Sequence, residues 1–271
     1  MDISKDKGVF TMKMNELKLV YFSPTGTTRK VIMEISANIN LKSVSYDLTV
    51  HKEKKPSLKF KSNDLVLFGI PVYAGRVPAT FLEYFENLSG QGTPAALVAT
   101  YGCREYEDAL LELKNEVESR SFKVIGAAAF PTEHSIVRSI GLGRPNKQDL
   151  KGIADFGMQL NRRVQSETSF DQFNIVVPGN MPYRKAGAAQ LTPKVDVTVC
   201  TMCGSCAKSC PTGAIDAKDP KKTNKKKCIS CQKCLRICKQ KARYVSGTKM
   251  KLLTGKLNKA CQSDKKADIF L

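Results

Sequence analysis

The sequence predicts an α/β fold, a doubly wound sheet of five parallel strands, followed by a small α+β domain organised by cysteines. Two observations carry that prediction. Between residues 17 and 167, β-rich runs alternate with segments of helical period, the rhythm that places helices on both faces of a parallel sheet. Between Cys200 and Cys238, eight of the chain's ten cysteines fall at two- and three-residue spacings, which metal sites require and disulfide scaffolds rarely show.

The strands are predicted in order. "LKLVYFS" (17 to 23) is β-rich, "SVSYDLTV" (43 to 50) alternates, and "NDLVLFGIPV" (63 to 72) is an almost continuous apolar run, as expected of a strand covered on both faces. "PAALVAT" (94 to 100) and "FKVIGAAAF" (122 to 130) complete the five. Helices are predicted over 27 to 39, over 78 to 89 opened by Pro78, over 105 to 120, and over 146 to 167 with Asn146 as N-cap and Asp149 in the first turn. Residues 168 to 196 carry three prolines and two glycines with little periodicity and read as a linker or wrapping segment. The predicted organisation is therefore a first domain over 1 to 167, a linker over 168 to 196, a cysteine domain over 197 to 245, and a basic C-terminal tail over 246 to 271.

A chain of 271 residues that is 42% hydrophobic can bury a substantial core. No run approaches the roughly 18 to 20 apolar residues of a membrane span, and "MDISKDKGVFTMKMNE" lacks the apolar stretch of a secretion signal, so a cytoplasmic location is expected. The net charge of +19 is lopsided: residues 191 to 271 hold 19 Lys and Arg against 5 Asp, +14 of the total. Nucleic-acid binding would call for aromatics among those lysines, and only Tyr244 and Phe270 are present there, so no nucleic-acid partner is expected. The basic face suits an acidic redox protein, which would meet it in a fast, salt-sensitive encounter.

The cysteines define their own chemistry. "CTMCGSCAKSCP" places them at 200, 203, 206 and 210, and "CISCQKCLRICK" repeats the spacing at 228, 231, 234 and 238. Three cysteines at two-residue intervals wrap three corners of a cubane cluster, and the fourth points to the other cluster. Two 4Fe-4S clusters are thus expected, one on Cys200, Cys203, Cys206 and Cys238, the other on Cys228, Cys231, Cys234 and Cys210. Tetrahedral zinc has no use for the third cysteine of each set. The unit resembles bacterial-type two-cluster ferredoxins, including Pro211 and the following "TGAI"; Lys239 stands where the second motif of that family usually has proline.

"YFSPTGTTRK" (21 to 30) joins the first strand to the first helix with small and hydroxyl residues, a loop suited to phosphate at a helix N-terminus. It is neither GxxxxGK[ST] nor GxGxxG, which leaves a phosphate monoester as the best fit. "SPTGTT" and the five-strand rhythm resemble flavodoxins. That resemblance implies bound FMN, with Ser23, Thr25, Thr27 and Thr28 offering hydroxyls to its phosphate and Gly26 permitting close approach. The ring would lie between "PVYAGRVP" (71 to 78) and "TYGCREYED" (100 to 108), the loops that flank the same crevice. Pro71, Tyr73, Ala74, Gly75, Thr100, Tyr101 and Gly102 are its candidate neighbours, Tyr73 and Tyr101 as stacking partners or as ordinary loop packing. Cys103 reads as a small buried thiol or a redox group, and His134 as a hydrogen-bonded loop histidine or a donor near the flavin. His51 and Cys261 have no context that singles them out.

Together the two halves resemble fused flavodoxin and ferredoxin electron-transfer proteins. The function this implies is relay of electrons between two clusters and FMN. The alternative is an FMN-dependent reductase of a small molecule, fed with ferredoxin-derived electrons, for which His134, Tyr73 and Tyr101 are the candidate proton donors.

Overall fold

The computed structural model of the chain describes residues 13–50, 55–187, 190–261 and 264–271; His51 lies outside them. Its centre is a sheet whose strands are β1 (Leu17–Tyr21), β2 (Ser43–Asp47), β3 (Leu65–Pro71), β4 (Thr93–Tyr101), β5 (Phe122–Pro131) and β6 (Asp268–Phe270). The spatial order is β6-β5-β4-β3-β1-β2, parallel from β5 to β2. The expectation of five strands is corrected here. The sixth, β6, comes from the extreme C-terminus and runs antiparallel to β5, pairing Ile269 with Ala128. Three residues are too few to show period-two alternation, so no pattern in the sequence marks this strand.

Helices α1 (Thr27–Ala37) and α3 (Lys147–Ser166) cover one face, burying Ile32, Ile35, Phe156 and Leu160 against Leu67, Val98 and Phe130. Asn146 caps α3 by accepting from the N–H groups of Gln148 and Asp149 at 3.0 Å, and Asp149 accepts from the Asn146 N–H, a reciprocal pair that satisfies otherwise orphaned donors. The other face is covered by α2 (Ala109–Glu118) and an aromatic cluster of Phe68, Phe81, Phe85 and Phe122. The helix expected over 78 to 89 is broken into Ala79–Leu82, a 3-10 turn at Phe85–Asn87 and a short strand Leu88–Ser89 paired with Leu58–Lys59. Burying Phe81, Tyr84 and Phe85 in one core outweighs the helical period there.

Phe170 and Phe173 still pack against the first face, and residues 174 to 187 wrap the second. Ile175 and Val177 are buried in its core, and Asp108 accepts from the N–H groups of Asn180 (2.9 Å) and Arg184 (2.7 Å). The cysteine unit contains a two-stranded antiparallel ribbon, Lys194–Val195 with Arg243–Tyr244, and two short helices, Ser205–Lys208 and Lys233–Ile237. The segment expected to be a basic tail instead forms α4 (Thr248–Ala260) and β6. Leu257 of α4 packs with Val137, Ile140 and Cys103, which returns the chain to the first domain.

One buried ion pair fixes a loop at the top of the sheet. Glu112 on α2, only 2% exposed, accepts from Arg76 Nε at 2.8 Å, Arg76 Nη2 at 2.5 Å and the Val77 N–H at 2.8 Å. Arg76 also lies 4.9 Å from the Tyr183 ring centroid and donates to the Arg184 carbonyl at 2.6 Å. Removing one member of a buried, hydrogen-bonded pair strands the other, so Glu112→Ala is expected to cost about 3–5 kcal/mol in urea unfolding, with Glu112→Gln less harmful. A loss under about 1 kcal/mol would show that Arg76 finds another partner.

Candidate functional site

The carboxyl ends of β1, β3, β4 and β5 open onto one cleft of about 280 Å³. At its floor the chain turns sharply into α1. Gly26, at φ +86°, holds the left-handed conformation glycine adopts without penalty, and a Cβ there would meet open space. The first-turn N–H groups of Thr27 and Thr28 have no carbonyl within the helix to receive them, so they are free to face an anion. Thr25 and Thr27 line the cleft with their hydroxyls. The hydroxyl of Thr28 is 2.7 Å from that of Thr100, which ties the loop to β4. Ser23, which is not among the residues lining the cleft, accepts at its hydroxyl from the Arg29 N–H at 2.9 Å, and its own O–H stays free to donate.

Both predicted ring loops border the cleft. Pro71, Tyr73, Ala74 and Gly75 come from the first, Thr100, Tyr101 and Gly102 from the second. Ala74 and Gly75 hold φ +52° and +79°, and a Cβ on Gly75 would strike the Glu107 carboxylate. Tyr101 stacks at a tilt on Tyr106, 5.4 Å between centroids, and burial pushes both phenols up. Tyr73 is raised by burial first and then by the Cys231 thiol.

The sequence located His134 but not its arrangement. Its Nδ1 accepts from the N–H groups of Ile136 (3.2 Å) and Val137 (3.0 Å), so the neutral ring carries its proton on Nε2. Burial, then the Arg104 charge, lowers its pKa from 6.5 to about 4. The folded state therefore favours the neutral ring, while the unfolded chain gains a proton as pH falls below 6.5. Stability that is complete above 6.5 is lost progressively down to about 4. His134→Gln is expected to remove this one-proton slope from denaturation curves taken across that window, and an unchanged slope would refute the assignment. Cys103 is a buried thiol that donates to the Thr132 carbonyl at 3.3 Å; burial pushes it up, and this marks an inert residue. Cys261 packs in the same small apolar cluster.

The remaining walls were not predicted. Ile229 and Ser230 of the second cysteine motif, and Leu253 and Leu257 of α4, reach the same cleft. The junction is fastened by Arg236 on Glu133 (3.0 Å), by Lys265 on Glu105 (2.5 Å), and by Arg144 donating to the Lys265 carbonyl at 2.7 Å.

In the cysteine unit, Cys210 of the first motif meets Cys228, Cys231 and Cys234 of the second around one cavity walled by Pro211, Ala214 and Ile215. Burial, and the facing thiols of Cys234, Cys210 and Cys228, push Cys231 up to about 12; burial does the same for Cys234. Without a metal such a cavity keeps the thiols neutral, and four cysteines around one apolar cavity are a donor set that fits a 4Fe-4S cluster. The four ring a cavity; among the described residues no three His, Cys, Asp or Glu side chains converge on a single ion. The fourth cysteines of the motifs occupy equivalent positions: the Ala214 N–H donates to Cys210 Sγ and the Ala242 N–H to Cys238 Sγ, each at 3.3 Å. Cys203 is exposed, whereas Cys200, Cys206 and Cys238 are half-buried.

Comparison with known proteins agrees with this division. Residues 18–109 match a family model described as a flavodoxin domain, and residues 199–243 match one described as a 4Fe-4S dicluster domain. No curated protein sequence matches the chain. Among solved structures, a Fusobacterium nucleatum flavodoxin bound to flavin mononucleotide is 19% identical over 55% of this chain and 99% of its own, with a TM-score of 0.40. A Streptococcus pneumoniae flavodoxin is 13% identical over 54% and 98%, with a TM-score of 0.39. A Lactobacillus acidophilus flavoprotein in complex with FMN is 18% identical over 42% and 92%, with a TM-score of 0.33. Cleft and cysteine unit together define a redox protein of the flavin and iron–sulfur class. Within the chain, a stretch that matches a flavodoxin domain is joined to one that matches a 4Fe-4S dicluster domain.

Proposed function

We propose that this protein relays electrons between two 4Fe-4S clusters and one non-covalently bound FMN. Cys228, Cys231, Cys234 and Cys210 would hold one cluster, and Cys200, Cys203, Cys206 and Cys238 the other. Thr25 and Thr27, with the N–H groups that open α1, would hold the FMN phosphate; the loops carrying Tyr73 and Tyr101 would border its ring. FMN, when bound, exchanges electrons one or two at a time, and each cluster exchanges one. The residues supply placement, exclusion of water and a hydrogen bond from His134 Nε2.

The observation that carries this reading is the shared wall. Ile229 and Ser230, which line the cleft together with Tyr73, stand immediately before Cys231. A cluster held there lies against the flavin site.

The test is analysis of protein purified without oxygen. About eight irons and one FMN per chain are expected, with clusters and flavin bleaching in one stepwise reductive titration. Eight irons without FMN after reconstitution would remove the flavin half of the proposal, and about four irons would remove one cluster.

A further inference from the structure

The two cysteine motifs have the same local geometry and opposite surroundings. Met202 and Ser230 occupy equivalent places in their turns, both with positive φ (58° and 55°), and each precedes the second cysteine of its motif. Gly204 and Gln232 match in the same way at φ 72° and 63°. In the second motif this turn is driven into the first domain. Ser230 is 6% exposed and Cys231 9%, Ile229 packs against the aromatic core, and the Ser230 hydroxyl accepts from the Leu191 N–H at 2.9 Å. In the first motif the corresponding Thr201, Met202 and Cys203 are all exposed, Met202 to 42%, and Val197 and Val199 beside them are 59% and 44% exposed.

From this asymmetry, and resting on the relay reading above, we infer that the first motif is the port through which an external one-electron carrier connects to the chain, and that its docking partner is an acidic protein. The apolar centre of the patch is Val197, Val199 and Met202. Its setting is a domain with 19 Lys and Arg, 5 Asp and no Glu over residues 191 to 271, which repels a basic partner and attracts an acidic one. The flavin cleft and the second motif cover each other and leave the first motif's turn as the exposed cysteine-bearing one. An electron entering there leaves the partner's reduced cluster oxidised by one and the first cluster reduced by one. It then passes to the second cluster and to FMN, which is fully reduced after two such transfers with protons drawn from water.

The test uses the full chain loaded with iron and FMN, and calorimetric titration with an oxidised, acidic two-cluster ferredoxin as the probe. Met202→Asp combined with Val199→Asp is expected to weaken binding at least about tenfold, by placing carboxylates against an acidic surface. Aspartate tolerates the left-handed conformation at 202, so the turn is kept. Leu252→Asp, at a more exposed apolar position on α4, is expected to leave affinity unchanged. Equal affinities for all three proteins, loss confined to Leu252→Asp, or no binding to the unmutated protein would each overturn the inference. Iron and FMN content and the internal reductive titration are read on the same samples. If they fail, the relay reading fails; if they hold while affinities are equal, only the port is wrong.

Discussion

Cys231→Ala is expected to lower iron from about eight to about four per chain and to stop electrons supplied to the remaining cluster from reaching FMN. The expectation follows from position. Cys231 is the most buried of the eight cysteines, shares a cavity with Cys210, Cys228 and Cys234, and directly follows Ser230, which lines the cleft. Removing it would leave the other three in an apolar cavity that stabilises neutral thiols. FMN content is expected to persist, because no phosphate-loop residue is touched. Cys203→Ala, on the exposed side, is expected to lose the other cluster while flavin still titrates together with the buried one. Retention of eight irons in Cys231→Ala would show that the cavity is not a cluster site.

Thr27→Asp is expected to weaken FMN binding by more than about a hundredfold, measured by flavin fluorescence during titration of the apoprotein. A carboxylate would lie beside a phosphate dianion in a half-buried cleft, where like charges a few ångströms apart cost about 3 kcal/mol or more. The same substitution favours the helix itself, because a negative charge in the first turn complements the dipole of α1. Stability that is unchanged or raised, with affinity lost, is therefore the signature of a phosphate site. Unchanged FMN affinity would mean that the loop only starts a helix.

Much of this architecture was legible because its signals are local. The burial of β3 and β4 on both faces demands the near-continuous apolar runs at 63 to 72 and 94 to 100, and Asn146 with Asp149 announces the start of α3. The spacing grouped Cys210 with Cys228, Cys231 and Cys234, and these four line one cavity. What escaped depends on contacts between distant segments. Met250, Leu253 and Leu257 recur at helical spacing, but lysines between them gave the C-terminal segment the composition of a solvated tail, so α4 was missed. Only the path of the loop reveals that the Ser23 hydroxyl accepts from the Arg29 N–H. Glu112 reads as one more charge on an amphipathic helix, although it fixes the Arg76 loop. Nothing in "CIS" indicates that Ile229 and Ser230 turn toward a flavin cleft in another domain.

The central claim is that clusters and flavin exchange electrons within one chain. The measurement that tests it most directly follows flavin bleaching after rapid reduction of the clusters, over a tenfold or wider range of protein concentration. A single-exponential rate independent of concentration is predicted, because a cluster held by Cys231 would lie behind the cleft wall that Tyr73, Ile229 and Ser230 form. A rate that rises in proportion to concentration would mean that electrons pass between molecules, and would contradict the relay.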